Sequence, residues 1–345
     1  MKDLLKIMLI FAAFVFVIPL VGFAGREKAD DAPQQAVSET VRTSTSEKKA
    51  EEETPTDDVF AVFDITSGKV TEMPMRDYLV GAVMAEMPAV YEPEALKAQA
   101  VAAYTYALRR EKLEKEAPTA ELMGAFISND STKYQAFFTP EQAQSFYGDK
   151  YAEYNEKVQK AAESVINEVL VSGGEPIIAA LHAVSSGQTE SAEVVWGSAV
   201  DYLVPAESPQ DTSAPNYIEE KIFTAAELKA RLTQSEYNIT LPADKSEWLK
   251  VNSVSPSGTV TDVSAGDKHI SGSQLRTLLN LRSACITVEY NADKGYIITT
   301  KGSGHGVGMS QYGANKMAEN GSSCREILLH YYSGAEIVTI DSDLS

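Results

Sequence analysis

The stretch MRDYLVGAVMAEMP, Met75–Pro88, sets the reading of the chain. From Tyr78 to Met87 nearly every residue is apolar or small, and Leu79, Ala82, Val83 and Glu86 fall on one helical face. The pattern predicts a helix buried on all sides, stopped by Pro88, with one carboxyl at its C-terminal end. Upstream, VFAVFDITSGKV (59–70) has the form of a strand, a Ser-Gly turn and a returning strand. Downstream, Pro93-Glu94 opens a longer helix that closes in the basic stretch around Arg109, Arg110 and Lys112, as the helix dipole favours. Further helices are expected at about 140–167, 224–232, 273–280 and 310–319, and strands near 168–184, 248–263, 284–290 and 295–300. There is no internal repeat. The mixture is α+β, helices and strands forming a substrate groove, and one domain is expected over 59–340.

Ahead of that domain, Lys2 and Lys6 precede an uncharged apolar run from Ile7 to Ala24, which approaches bilayer length. It predicts an N-terminal transmembrane helix (1–24), a single-pass cell-membrane anchor with the rest outside the cytoplasm; small residues at Gly22 and Ala24 also suit a cleaved signal peptide. Residues 25–58 are rich in Ala, Ser, Thr, Glu, Asp and Lys, carry no aromatic residue, and form an expected disordered linker. The net charge of −19 excludes a nucleic-acid partner, because tracking phosphates needs clustered Lys and Arg. A neutral or weakly charged ligand fits better. The two cysteines, Cys285 and Cys324, are compatible with a bridge or with two buried thiols.

Three places carry chemistry. Burial and the negative end of a helix dipole both raise the pKa of Glu86, making it a proton donor; the structural alternative is a carboxyl that caps a loop or pairs with Lys97. In KGSGHGVGMSQYGA (301–314), glycines alternate with Ser303, His305, Val307 and Met309, so an extended segment would present a face bare of side chains, with Ser310 capping a following helix. In LHAVSSGQTESAEVVWG (181–197), a strand ends at His182 and a polar loop leads to Trp196, a sugar platform or a core anchor. Four His and two Cys show no metal-ligand spacing, and no cofactor is expected.

The segments RDYLVGAVMAEMP, EALKAQAVAAYTYAL, SSGQTESAEVVWG, SGSQLRTLLNLRS and GHGVGMSQYGANKMA resemble, in that order, the stage II sporulation protein D family, which also includes amidase enhancers. The resemblance implies a peptidoglycan lytic transglycosylase that degrades peptide-stripped glycan strands during engulfment in sporulation. Its implied partners are a membrane amidase and a third membrane protein. It assigns the catalytic acid to Glu86 and implies substrate contacts at Lys97, Gln99, His182, Ser186, Thr189, Trp196, His305, Gln311 and Tyr312. The chain departs from the family at Tyr104, where an Arg is usual. It departs again at Leu122, Ser128 and Tyr134, where some members place a His and two Cys on zinc, so no metal is carried over. A non-catalytic wall protein that activates an amidase is the competing expectation.

Overall fold

A computed structural model describes residues 59–340. The chain opens with β1 (Val59–Asp64) and β2 (Lys69–Pro74), an antiparallel hairpin in which Val62 pairs with Thr71. The Asp64 carboxylate fastens the turn by accepting from the Thr66 amide at 3.0 Å. Helix α1 (Met75–Glu86) follows directly, and α2 (Pro93–Glu116) runs one turn past its expected end. β3 (Ile127–Ser128) then lies parallel to β1.

The helix expected over 140–167 is two helices, α3 (Pro140–Tyr147) and α4 (Tyr151–Glu163). Gly148 separates them at φ +55°, ψ −130°, a conformation that ends α3. The strand expected over 168–184 is also broken. β4 (Glu168–Ser172) turns through Gly173-Gly174 into the short β5 (Glu175–Pro176), and β6 (Leu181–His182) belongs to a different sheet. Five residues, Ala192–Trp196, form α5 behind a Ser191 cap, where sequence suggested only a loop.

Residues 218–301 build a second lobe: β7 (Ile218–Phe223), α6 (Ala225–Thr233), β8 (Leu249–Val254), β9 (Val260–Ala265), β10 (Lys268–Ile270), α7 (Gly272–Leu279), β11 (Ile286–Asn291) and β12 (Gly295–Lys301). Its two antiparallel sheets, ordered β10-β9-β8 and β11-β12-β7, enclose Phe223, Leu228, Trp248, Val263, Leu275, Tyr296 and Ile298. The chain then returns to the first lobe through β13 (Met309–Ser310), α8 (Gln311–Glu319), α9 (Cys324–Tyr331) and β14 (Glu336–Thr339). β13 pairs in parallel with β6, and β14 pairs with β4.

Helix α1 is shared by two clusters of the first lobe. Val83 and Met84 pack with Leu96, Val101, Val158, Leu170, Met309 and Leu328, while Tyr78, Leu79 and Ala82 pack with Phe60, Ala103, Ile127 and Val169. Each fully buried Leu, Val or Met side chain contributes about 1.5–3 kcal/mol. The sequence reading of a helix buried all round holds for this reason. Cys324 sits in the first of these clusters and Cys285 lies at the boundary with the second lobe; both are free thiols. Among the described residues no helix is long and apolar enough to cross a membrane, and both the expected anchor and the linker lie outside them.

One close approach fixes how α1 meets its neighbours. The Phe138 amide donates to the Gly81 carbonyl at 3.0 Å, and a Cβ added at Gly81 would stand 2.3 Å from the Phe138 carbonyl oxygen. Gly81→Ala is therefore expected to destabilise the protein by up to about 2 kcal/mol, an overpacking cost of ~1–3 kcal/mol less the ~1 kcal/mol gain in helix propensity. Urea unfolding of the two proteins measures it; an alanine variant as stable as wild type would show that the 136–138 segment yields.

Candidate active site

Glu86 closes α1 one residue before the Met87 cap, and its half-buried side chain reaches the irregular 135–138 segment that Gly81 admits. Its Oε1 accepts from the Ala136 amide at 3.2 Å. Around it, Tyr78 Oη donates to Gln135 Oε1 at 3.0 Å, and the Gln135 amide donates to Tyr106 Oη at 3.3 Å. Desolvation raises the Glu86 pKa from 4.5 to about 7, with the single Ala136 hydrogen bond opposing it. Because an amide can only donate, the oxygen facing Ala136 is the unprotonated one, so the carboxylic proton resides on Oε2. Both sequence readings of Glu86 meet in this geometry: it does tie down a loop, and it is an acid poised near neutrality. It does not pair with Lys97, whose ammonium lies 2.7 Å from Glu94 Oε1.

The glycine-rich segment and the 181–197 loop come together elsewhere in the first lobe. Gly302, Gly304, Gly306 and Gly308 all hold positive φ, from +71° to +112°, so the segment bends repeatedly, bridging to Val184 through Ser303 and to Glu190 through Val307, and is not the expected flat strand. A Cβ at Gly304 would lie 2.6 Å from His182 Cβ, which is how the backbone can fold onto that histidine. His182, His305 and Trp196 form one aromatic group, with ring centroids 5.9 Å apart for the two histidines and 5.7 Å for Trp196 and His305. The backbone of one residue, Val307, orients both imidazoles. His182 Nδ1 faces the Val307 carbonyl at 3.1 Å and must donate to it; the Val307 amide donates to His305 Nδ1 at 3.0 Å. Burial depresses both pKa values, that of His182 to about 4, so each ring is neutral. His182 therefore carries its proton on Nδ1 and His305 on Nε2.

Several expected substrate contacts are corrected by burial. Thr189 is fully buried, and its Oγ1 accepts from the Ala206 amide at 2.8 Å. Gln99 is also fully buried and accepts from Gln311 Nε2 at 3.3 Å, so these two side chains join α2 to α8. His182, with no exposed surface, positions the glycine-rich backbone. Tyr312 is buried, 3.3 Å from Ser213 through its hydroxyl and under Lys316 on its ring face. Trp196, His305, Lys97 and Ser186 retain partial exposure, and Ser186 Oγ donates across the lobe boundary to the Ser257 carbonyl at 2.8 Å.

Sequence reasoning missed Glu190, whose buried carboxylate accepts from the Ser191 amide at 2.9 Å and from the Ser255 hydroxyl of the second lobe. It sits among polar neighbours, without the apolar surroundings that marked Glu86. Tyr104, where the family has Arg, is buried against Ala103 and Ile127 in the core. Leu122 is buried, Ser128 Oγ accepts from the Asp130 amide at 3.3 Å, and the Tyr134 ring lies 5.3 Å under Arg110, so the residues at the family's zinc positions serve packing and turn geometry.

Fold and site together define a two-lobed α+β protein in which one carboxyl at a helix end is kept from ionising easily. The chain belongs to the stage II sporulation protein D family. The family model described as Stage II sporulation protein matches residues 65–171, a span that holds Glu86 and its Ala136 partner but ends before His182. The chain is 32% identical to Stage II sporulation protein D of Bacillus amyloliquefaciens over 342 residues, covering 99% of this chain and 95% of that one. It is 31% identical to Stage II sporulation protein D of Bacillus subtilis (strain 168), covering 100% and 98%. An amidase enhancer of Bacillus subtilis is 28% identical, over 76% of this chain and 40% of its own length.

The raised pKa has a stability signature. The folded value of about 7 lies above the ordinary 4.5, so the native state binds more protons in that window and loses stability as pH rises through it. Glu86→Gln removes this loss while keeping an acceptor for Ala136. The variant is expected to gain on wild type between about pH 4.5 and 7, reaching on the order of 2–3 kcal/mol above it. Denaturant unfolding at several pH values tests this; a constant difference across the range would remove the desolvation argument.

Proposed function

We propose that the protein is a lytic transglycosylase that cleaves peptidoglycan glycan strands, with Glu86 acting as acid and then as base. The observation that supports this reading most is the Glu86 carboxyl itself, desolvated to a pKa of about 7 and oriented by one amide. A carboxylic acid protonated at neutral pH supplies what cleavage of a glycosidic bond first requires, a proton for the departing oxygen. Glu86 Oε2–H protonates the oxygen between N-acetylmuramic acid and N-acetylglucosamine as the bond to the muramic C1 breaks. The resulting carboxylate then takes the proton of the muramic C6 hydroxyl as that oxygen closes on C1. The product ends in a 1,6-anhydro ring, water is not consumed, and Glu86 regains its proton.

Family membership supports a role in sporulation, and the proposal extends it to wall degradation during engulfment, on peptide-stripped strands and beside a membrane amidase. It places the described residues outside the cytoplasm, held by an N-terminal single-pass anchor at 1–24 and a linker at 25–58. The similarity to an amidase enhancer favours a second reading, a non-catalytic wall protein that activates an N-acetylmuramoyl-L-alanine amidase.

Incubating the purified protein with peptide-free glycan strands, with mass spectrometry of the ends released, separates the two. Wild type is expected to yield anhydromuramyl ends, and Glu86→Gln to lose ~100-fold or more in rate while remaining folded. The first step needs the protonated acid, so the rate should fall as pH rises through about 7. Wild-type protein that releases no ends yet stimulates an amidase would establish the second reading instead.

A further inference from the structure

A shallow pocket opens where the second lobe meets the 184–190 loop and the glycine-rich segment. It leaves room for a small polar group and is open to solvent on one side. Its wall includes Ser186, Glu190, Cys285, Lys301, His305 and Gly306. The two charged residues here differ in one respect. Both Glu190 oxygens already accept, one from the Ser191 amide and the other from the Ser255 hydroxyl. Lys301 stands exposed at the end of β12, and its ammonium makes no ion pair among the described residues. Its field reaches the Cys285 thiol across the pocket.

The backbone contributes as well. The amides of His305 and Gly306, consecutive in the wall, meet no acceptor among the described residues, whereas the neighbouring Gly304 amide donates to the Arg282 carbonyl at 3.0 Å. With Gly304 and Gly306 at φ +112° and +84°, this is the kind of turn in which successive N–H groups make a concavity for an anion. In a chain of net charge −19 the long-range field repels anions, so a free ammonium beside two free amides has to attract locally.

We propose that this pocket binds a carboxylate of the substrate, Lys301 supplying the charge and the His305 and Gly306 amides the directed hydrogen bonds. The inference rests on the glycan reading above and makes it more specific. The carboxylate in question is that of the lactyl ether on muramic acid, which is free only where no peptide is attached. Lys301 would thereby discriminate a bare strand from one whose lactyl carboxyl is tied up in an amide bond.

The test measures binding of the full-length protein to two ligands, peptide-free glycan strands and oligomers of N-acetylglucosamine, which lack the lactyl group. Lys301→Met is expected to weaken strand binding about five-fold and leave oligomer binding unchanged, and Lys301→Arg to retain most of the strand affinity. If Lys301→Met changes neither ligand, or both equally, the carboxylate site is overturned while the glycan reading stands. Wild-type protein that binds neither ligand overturns both. Competition by inorganic phosphate that acetate at equal concentration does not reproduce would overturn the carboxylate assignment in favour of a phosphate site.

Discussion

The interaction on which the rest depends is the contact between α1 and the 135–138 backbone. Gly81 lets the Phe138 peptide approach, and that approach delivers the Ala136 amide to Glu86. Without it the carboxyl would lie at the end of an apolar helix with no hydrogen bond to orient it, and an unsatisfied buried oxygen costs ~1–3 kcal/mol. With two or three such amides the carboxyl would instead be pulled into the ordinary ionised range. A single donor both fixes the position of one oxygen and leaves desolvation in control of the acid's strength.

Helix α1 is also shared between two hydrophobic clusters, because it is apolar on both faces. Its Val83 face looks toward α2, α4 and the returning β13, and its Tyr78 face toward β1 and β3. A helix enclosed from both sides has few ways to shift in response to a ligand, which suits a group whose task depends on a fixed proton position. The lobes, by contrast, are joined near the pocket by polar contacts at Ser186, Gln188, Glu190, Ser255 and Ser257.

The local features were legible in the sequence. Helix α1 and its odd carboxyl followed from periodicity and Pro88, α7 from periodicity, and the Ser310 cap from its place before the last helical stretch. What escaped depends on information that a pattern of residue types does not carry. The sign of φ at Gly148 and along Gly302–Gly308 decides between continuation and turn, and glycine accepts either sign. Helix α5 is five residues long, too short to show a period. That residues 218–301 gather around their own core could not be read from segments whose apolar spacing suits any core. Gln99 and Thr189 were expected as ligand contacts from the family resemblance, and tertiary packing turns both inward.

The backbone N–H and C=O of Val307 have an effect that reaches beyond the geometry of two side chains. By occupying Nδ1 of both imidazoles, as acceptor for one and donor to the other, they give the rings opposite tautomers. A second proton on His305 would have to displace the Val307 amide, and one on His182 would have to charge a ring with no exposed surface. Two groups that ordinarily titrate near pH 6.5 are thus silent through the physiological range. Acidification or alkalinisation of the surroundings then changes the charge at Glu86 while leaving the His182–His305 wall as it was, so proton concentration acts on the strength of the acid and not on the shape beside it.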